Sequence, residues 1–250
     1  MIPIDLSGKI AVVTGATGEL GRVIARTLAG AGARVAIHYH QSRDQAVALQ
    51  QELPGSCLVH ADITRHADVD QMRDEVHRQL GAPDIIVNNA VIQYRWLPVL
   101  EQSPDDYRSQ FESCVLQNVL MAQAFVPGMI AKHWGRVIAI NTECAMQCHP
   151  TQSAYVAGKR GMDGVLRCLA REVGSHDITV NQVAPGWTIS ARDRAAGTER
   201  QPDYEKSVPL RRRGEDIDIA HTVVFLASDL ARFITGAFIP VCGGNVMPSI

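Results

Sequence analysis

The chain alternates between short apolar runs and longer stretches in which apolar residues recur every three or four positions. Short runs rich in branched apolar side chains are typical of strands that are buried on both faces, as in a parallel sheet covered by helices. Apolar spacing of three and four residues predicts helices that bury one face. The predicted strands are residues 10–14, 34–37, 57–60, 85–87, 137–140, 179–183 and 238–241.

The helical spacing falls between these runs, so strand and helix follow one another along the chain. The predicted helices are residues 22–29, 45–53, 69–80, 105–131, 154–173 and 217–226. This alternation predicts the α/β class, here a Rossmann-type doubly wound parallel sheet of about seven strands, whose ligands bind at the carboxyl ends of the strands. At 250 residues the chain fits a single domain, residues 1–250.

Residues 187–214 interrupt the pattern, because they are rich in Arg, Gly and Pro and directly follow a predicted strand. Loops at that edge of a sheet commonly border the ligand, and long loops in a compact domain are often functional. Two interpretations stay open: a surface connection, or a substrate loop that covers the site.

The composition is that of an ordinary soluble globular protein. Its 24 basic and 26 acidic side chains give a formal net charge of −2, without the basic patch expected of a nucleic-acid binder. Residues 1–9 hold no charged start followed by an apolar run, and the first apolar run is too short to cross a bilayer, so we expect a cytoplasmic protein with no membrane partner. The six cysteines lack zinc-site spacing, which favours reduced thiols and no metal site.

Candidate chemistry begins with Tyr155 and Lys159, which are four residues apart in a predicted helix. Side chains at that spacing lie on one helix face. A free tyrosine, with a pKa of about 10, is a poor acid near neutrality, and a nearby ammonium group favours the phenolate. We expect Lys159 to lower the pKa of Tyr155, so that the phenol transfers a proton in a carbonyl reduction or an alcohol oxidation.

A glycine-rich turn joins the first predicted strand to the first helix. Unpaired backbone N–H groups at the start of a helix favour an anion, so this turn predicts a phosphate cradle. The cradle residues are Gly15, Thr17, Gly18, Glu19, Leu20 and Gly21. A carboxylate beside a pyrophosphate would repel it. Glu19 therefore either points away or weakens dinucleotide binding, and we favour the first because Gly18 leaves the turn pliable.

With these motifs in this order, the chain resembles the classical branch of the short-chain dehydrogenase/reductase family over essentially its whole length. The motifs that carry the resemblance are Thr14-Gly15 with Gly21, Asn88-Asn89-Ala90, Tyr155 with Lys159, and Pro185-Gly186. The chain departs from the family pattern at Glu19, which stands in place of the middle glycine of the turn, and at Val91, which stands in place of a glycine after the fourth strand.

The resemblance implies four catalytic residues. The family's serine position falls on Thr142, whose hydroxyl would orient the carbonyl, and Tyr155 would donate the proton. Lys159 would bind the nicotinamide ribose and tune the tyrosine. Asn118 would bend the long helix and support proton resupply through a water. Each has an ordinary structural alternative: a buried amide for Asn118, a turn residue for Thr142, a solvated helix lysine for Lys159.

The resemblance also implies a nicotinamide cofactor, which supplies the hydride because no side chain can. Enzymes that use NAD usually hold the ribose hydroxyls with an acidic residue at the end of the second strand, and residues 38–43 contain none. We expect NADP, with Arg43 and either His38 or His40 meeting the 2′-phosphate beside Tyr39. The alternative is a polar strand end with solvated histidines, and NAD as the cofactor.

The remaining cofactor contacts follow from the resemblance alone. Asp62 and Ile63 would border the adenine. Asn89 and Ala90 would lie on the nicotinamide side. Pro185 and Gly186 would flank the nicotinamide, with Thr188 or Ser190 bonding its amide.

The pocket is predicted from three segments, residues 93–96, 143–149 and 187 onward, whose aromatic and polar groups suit a small or medium polar carbonyl compound. Glu143 either binds an amine or hydroxyl group of the substrate or is a solvent-facing acid. Residues 209–214 and 225–229 resemble 3-oxoacyl carrier-protein reductases. His133 and His176 stand near positions where that branch tends to carry arginines, which leaves carrier recognition open.

Three functions are compared. The first is an NADP-dependent reductase of a small-molecule carbonyl, and the second is an NAD-dependent alcohol dehydrogenase. The third is a catalytically silent dinucleotide-binding regulatory or scaffold protein, motivated by Glu19, Val91 and Thr142. Family members pair through their long helices, so we expect a homodimer or homotetramer with residues 105–131 and 154–173 at the interface.

Overall fold

Seven parallel strands form one sheet in the order β3-β2-β1-β4-β5-β6-β7. This computed structural model describes residues 4–248. The strands are β1 (Ile10–Val13), β2 (Arg34–Tyr39), β3 (Cys57–His60), β4 (Ile85–Asn88), β5 (Gly135–Ile140), β6 (Ile178–Pro185) and β7 (Phe238–Val241). The predicted Rossmann-type sheet is confirmed, with all seven strands at the predicted places.

Helices cover both faces of the sheet. They are α1 (Glu19–Gly30), α2 (Arg43–Glu52), α3 (His66–Gln79), α4 (Pro104–Phe111), α5 (Gln117–Lys132), α6 (Cys144–Gln147), α7 (Ser153–Val173), α8 (Ala191–Ala196), α9 (Pro202–Ser207) and α10 (Asp216–Ala227). In β1, Ala11 and Val13 pack with α1, α2 and α10, while Ile10 and Val12 pack with α3, α5 and α7. Each strand side meets an apolar layer, which is why these strands read as continuous apolar runs.

The predicted helix over residues 105–131 differs from a plain α-helix. A π-helical turn, Glu112–Leu116, separates α4 from α5. Apolar spacing did not predict this turn, because a single π-helical turn inside a longer helical pattern has no spacing signature of its own. Helix α7 packs closely against the preceding α4, where a Cβ on Gly158 would lie 2.8 Å from the Gln110 carbonyl oxygen. A π-helical turn such as Glu112–Leu116 is often found at a functional site.

The segment from Pro104 to Lys132 is long and apolar enough by composition to cross a membrane, and half of its apolar window is buried inside the fold. Phe125 and Met129 in α5 are buried in the core layer shared with α3 and α7. The apolar character of this segment is therefore that of a helix in a protein core.

The strand order reverses direction between β1 and β4. In a doubly wound sheet, the loops after these two strands diverge to opposite faces and leave a crevice at the carboxyl edge. The glycine turn after β1 and the Asn89-Ala90 segment after β4 meet in this crevice, which places the candidate site there.

Candidate active site

The glycine turn after β1 is tightly closed. Gly15 has a φ of +60°, and a Cβ added at Gly21 would lie 2.1 Å from the Gly15 carbonyl oxygen. Only glycine fits at Gly21 without moving the turn. The side chain of Asn89 donates to the carbonyl oxygens of Thr14 at 3.0 Å and Gly15 at 3.1 Å, so the segment after β4 braces the turn.

The start of α1 offers free donors. Within residues 4–248, the backbone N–H groups of Glu19, Leu20 and Gly21 have no backbone or side-chain acceptor, and Gly18, which precedes them, provides no side-chain cap. Such N–H groups at the positive end of a helix dipole suit an anion. The turn therefore fits the pyrophosphate of a dinucleotide, as the sequence predicts for Gly15 to Gly21.

His38 has a different role from the one expected. Its side chain is 1% exposed, its Nδ1 accepts the Gly15 N–H at 2.9 Å, and its Nε2 lies 3.0 Å from the Ala61 carbonyl oxygen, which requires a proton on Nε2. Burial lowers the pKa of His38 to about 4, so the ring is neutral. The expectation that His38 meets a 2′-phosphate is corrected, because both ring nitrogens are occupied in supporting the glycine turn.

The exposed groups at this edge are the neighbours of His38. Tyr39 and His60 pack with ring centroids 5.4 Å apart, and His40 and His60 with centroids 5.9 Å apart. His40, His60 and Arg43, the first residue of α2, are all exposed. His60, on β3, was missed by sequence analysis, since only the pairing of Tyr39 with His60 in the sheet brings it here.

Asp62 and Ile63 follow β3 at the same edge. Asp62 accepts hydrogen bonds from the backbone and hydroxyl of Thr64, at 3.0 and 2.7 Å. Ile63 is buried. Their place beside the adenine stays a prediction.

Three of the four residues predicted to be catalytic, Thr142, Tyr155 and Lys159, lie where β5 ends and α7 begins. Burial raises the pKa of Tyr155, and a side-chain hydrogen bond with Thr142 opposes the rise. Asn141 accepts the Thr142 N–H at 2.8 Å and donates to the Lys159 carbonyl oxygen at 3.2 Å, which ties the end of β5 to α7. Thr142 is thus held beside the phenol by a buried amide that sequence analysis missed.

Lys159 is 3% exposed, which rules out the solvated helix lysine. Its Nζ donates to the Ile140 carbonyl oxygen at 2.6 Å and lies 5.7 Å from the centroid of the Tyr155 ring. Burial lowers the pKa of Lys159. The expected lowering of the Tyr155 pKa by Lys159 is not found in the free protein, because burial of the phenol outweighs any effect of the ammonium group.

Asn118 is the second residue of α5, which follows the π-helical turn. Its amide donates to the Cys114 carbonyl oxygen at 2.6 Å and its Oδ1 accepts from Asn88 at 2.7 Å. The side chain therefore ties the irregular turn to the end of β4. The role of Asn118 in proton resupply, implied by the family resemblance, stays a prediction.

An aromatic cover lies over the candidate proton donor. The Trp96 ring stacks on the Tyr155 ring, with centroids 5.9 Å apart and an interplanar angle of 26°. The Tyr94 hydroxyl accepts the Tyr155 backbone N–H at 2.8 Å. Trp96 remains 43% exposed, so one indole face contacts the phenol while part of the ring faces solvent.

Glu143 is buried, 3% exposed, so the alternative of a solvent-facing acid is wrong. Its carboxylate accepts from the Tyr204 hydroxyl at 2.9 Å and from the Asn245 amide at 3.0 Å. The Tyr204 hydroxyl in turn accepts the Trp187 N–H at 2.8 Å. Burial raises the pKa of Glu143. Glu143 anchors the 187–214 segment to the residues that follow β5 instead of facing solvent.

The 187–214 segment contains the two short helices α8 and α9, so it is more regular than its composition indicates. Arg213 has no exposed side-chain surface. It donates to the carbonyl oxygens of Trp187, Thr188, Thr198 and Glu199 and to the Asp193 carboxylate. Sequence analysis missed this role, since Arg213 closes a run of three arginines that reads as exposed.

Pro185 ends β6, and Gly186 leaves room for the chain to pass under the loop, since a Cβ there would lie 2.6 Å from the Tyr204 hydroxyl oxygen. The Thr188 hydroxyl donates to the Gly186 carbonyl oxygen at 3.0 Å. Ser190 caps α8 and exchanges hydrogen bonds with Asp193. The contacts of these residues with a nicotinamide stay predictions.

Glu19 faces this segment. Its Oε2 accepts from the Arg22 guanidinium at 2.6 Å and from the Ala191 backbone N–H at 2.9 Å. The carboxylate of the glycine turn is therefore paired with a cation and with the first residue of α8.

Comparison with known proteins agrees with this geometry. The family model described as enoyl-(acyl carrier protein) reductase matches residues 15–245. The chain is 38% identical over 245 residues to the 3-oxoacyl-[acyl-carrier-protein] reductase FabG of Staphylococcus epidermidis, covering 96% of this chain and 99% of the relative. It is 35% identical over 245 residues to the protein of that name from Escherichia coli, covering 97% and 99%.

A solved structure, titled a putative gluconate dehydrogenase from Agrobacterium tumefaciens, superimposes with a TM-score of 0.90 at 26% identity, covering 99% of this chain and all of that one. Sequence similarity over nearly the whole chain and the shared fold agree. The chain is an NAD(P)-dependent oxidoreductase that belongs to the short-chain dehydrogenase/reductase family.

Proposed function

We propose that the protein is an NADP-dependent reductase of a carbonyl compound, with Tyr155 as the proton donor. The observation that carries the proposal is the convergence of Thr142, Tyr155 and Lys159 at the ends of β5 and α7, beside a glycine turn with free N–H donors. Tyrosine and lysine on one helix face, next to an oriented hydroxyl, suit acid catalysis at a carbonyl oxygen.

The chain's own residues account for the proton and for the orientation of the substrate. The Thr142 hydroxyl orients the carbonyl oxygen, and Tyr155 donates its phenolic proton to that oxygen. The raised pKa keeps the phenol protonated near neutral pH, which is the form needed for donation. Asn118 supports proton resupply from its place after the π-helical turn, and Lys159 binds the nicotinamide ribose. The nicotinamide cofactor supplies the hydride when bound.

The preference for NADP rests on the edge formed by β2 and β3. His40, His60 and Arg43 are exposed there, and Asp62 is turned to Thr64. Imidazole N–H donors and a guanidinium favour a phosphate over a ribose diol. The second candidate, an NAD-dependent alcohol dehydrogenase, requires that these groups make no contact with the cofactor.

The substrate is proposed to be a small or medium polar carbonyl compound. Trp96 stacks on Tyr155, and Trp187, 49% exposed, lies edge-on to Tyr204, so aromatic rings flank the site. The relatives named 3-oxoacyl-[acyl-carrier-protein] reductases make a carrier-bound 3-oxoacyl group the competing substrate class. Activity compared on free and carrier-bound 3-oxoacyl compounds separates the two.

Assembly and location complete the proposal. We propose a cytoplasmic homodimer or homotetramer that pairs through the long helices. Phe111, at the end of α4, is 51% exposed, and Leu116, before α5, is 39% exposed, which supports burial of this face against another copy. Light scattering that gives the mass of one chain at micromolar concentration would contradict the assembly.

The proposed function is tested first by titrating the protein with NADPH and with NADH, following nicotinamide fluorescence. Tighter binding of NADPH is expected, and His40→Gln is expected to reduce that preference. Tyr155→Phe is the second test and should lower kcat by about a hundredfold or more with cofactor affinity retained. If Tyr155→Phe keeps full turnover, or if neither cofactor binds, the reductase proposal fails and the catalytically silent protein becomes the better hypothesis.

A further inference from the structure

Glu19 connects two parts of the protein that carry different tasks. It lies in the first turn of α1, among the N–H groups of the predicted phosphate cradle, and its carboxylate accepts the backbone N–H of Ala191 at 2.9 Å. The two residues are separated by 172 positions in sequence. Arg22 contacts the same carboxylate oxygen at 2.6 Å, which compensates its charge and fixes its direction.

Ala191 is not an isolated contact point, because it is the first residue of a rigid unit. Ser190 and Asp193 form a reciprocal cap on α8. Asp193 also accepts from the fully buried Arg213, at 3.1 Å. A hydrogen bond that holds Ala191 therefore holds α8 and, through Asp193, the arginine that organises the rest of the 187–214 segment.

We propose that Glu19 is a positioning residue, which holds the 187–214 segment closed over the glycine turn in the free protein. The segment is anchored at its other side by the bond between Tyr204 and Glu143. With both carboxylates in place, the segment is fastened to the cofactor turn at α8 and to the catalytic strand end at α9. The loop-holding role stands on geometry alone, and its effect on substrate binding rests on the proposed function.

Matched variants separate this role from simple charge repulsion. Glu19→Gln keeps an oxygen acceptor for the Ala191 N–H and removes the negative charge. Glu19→Ala removes both. Glu52→Ala is the control. Glu52, at the end of α2, pairs at 2.6 Å with Arg26 of α1, the helix that also carries Glu19, and its ion pair does not involve the 187–214 segment.

The main readout is limited trypsin digestion of the free protein, followed by mass spectrometry. Cleavage at Arg192, an exposed residue of α8, reports opening of the segment. Proteolysis follows the population of the open form when closing is fast. We expect Glu19→Ala to be cut about fivefold to tenfold faster than the wild type, since the acceptor for the Ala191 N–H is lost. Glu19→Gln and Glu52→Ala should stay near the wild-type rate.

The second readout is steady-state kinetics with a carbonyl substrate. Glu19→Ala should raise the substrate KM severalfold more than Glu19→Gln does, because only Gln keeps the acceptor for the Ala191 N–H. The proposal is overturned if all variants are cut at the wild-type rate, or if Glu52→Ala is cut as fast as Glu19→Ala. It is also overturned if Gln and Ala at position 19 change cofactor affinity equally with no change in cleavage. The digestion result is independent of turnover, so an inactive protein would refute the proposed function and leave this inference testable.

Discussion

Acidification should weaken this protein through one buried histidine. The His38 ring is neutral between the Gly15 N–H and the Ala61 carbonyl oxygen, and burial lowers its pKa from 6.5 to about 4. In the unfolded chain the same ring has the ordinary histidine pKa of about 6.5. Between these two values the unfolded state holds more protons, so the free energy of unfolding falls as the pH falls.

The magnitude follows from the same two pKa values. The gap between 6.5 and about 4, at about 1.4 kcal/mol per pH unit, amounts to about 3 kcal/mol. The loss begins near pH 6.5 and is complete below the folded value. The titratable groups that face the ring are His40 and His60, which oppose its protonation, and Asp62, which favours it.

The assay is urea unfolding, followed by tryptophan fluorescence at fixed protein concentration, from about pH 7.5 to about pH 4.5. His38→Asn is the comparison, because the Asn oxygen accepts the Gly15 N–H and does not titrate. The wild type should lose about 2 to 3 kcal/mol more than the variant over this range. Parallel curves for the two proteins would refute the reasoning, as would an NMR titration that places the His38 pKa near 6.5 in the folded protein.

Three further predictions follow from the site. Gly21→Ala should weaken NADPH binding by about a hundredfold in a fluorescence titration, because the added Cβ would lie 2.1 Å from the Gly15 carbonyl oxygen and displace the turn. An unchanged affinity would contradict the prediction that this turn binds the pyrophosphate. Thr142→Val should lower kcat by about a hundredfold, while Thr142→Ser keeps most of it; equal rates for the two would remove the hydroxyl from the mechanism. Trp96→Ala should raise the substrate KM by up to about tenfold, since the ring stacked on Tyr155 at 5.9 Å is lost, and Trp96→Phe should restore it; a kcat effect alone would contradict this role.

The sheet was predictable from the sequence because strands buried on both faces need uninterrupted apolar runs. All seven strands lie where those runs are. The boundaries were less predictable, since α1 begins at Glu19, three residues before the apolar spacing starts. The short helices α8 and α9 were missed because their apolar patterns are too short to be distinguished from loops. The π-helical turn before Asn118 was missed because it lies inside a longer helical pattern.

The candidate site divides in the same way. Gly15, Gly21, Tyr155 and Lys159 are recognisable from spacing along the chain, because a tight turn and one helix face are local arrangements. The environment of a polar side chain is not local, and it decided the roles that the sequence could not. His38 is neutral because its strand is buried between β1 and β3, and burial lowers its pKa; the same neighbours bring Gly15 and Ala61 to its two nitrogens.

The spacing and type of residues along the chain were enough to identify the fold class, the family and the order of the chemical groups. Which of those groups are buried or already bonded depends on how distant segments pack together. Glu143 became an anchor and Glu19 a contact of α8 through partners 61 and 172 residues away. Burial and hydrogen-bond partners arise from packing between distant segments, and these two quantities set whether a carboxylate or an imidazole meets a ligand or supports the fold.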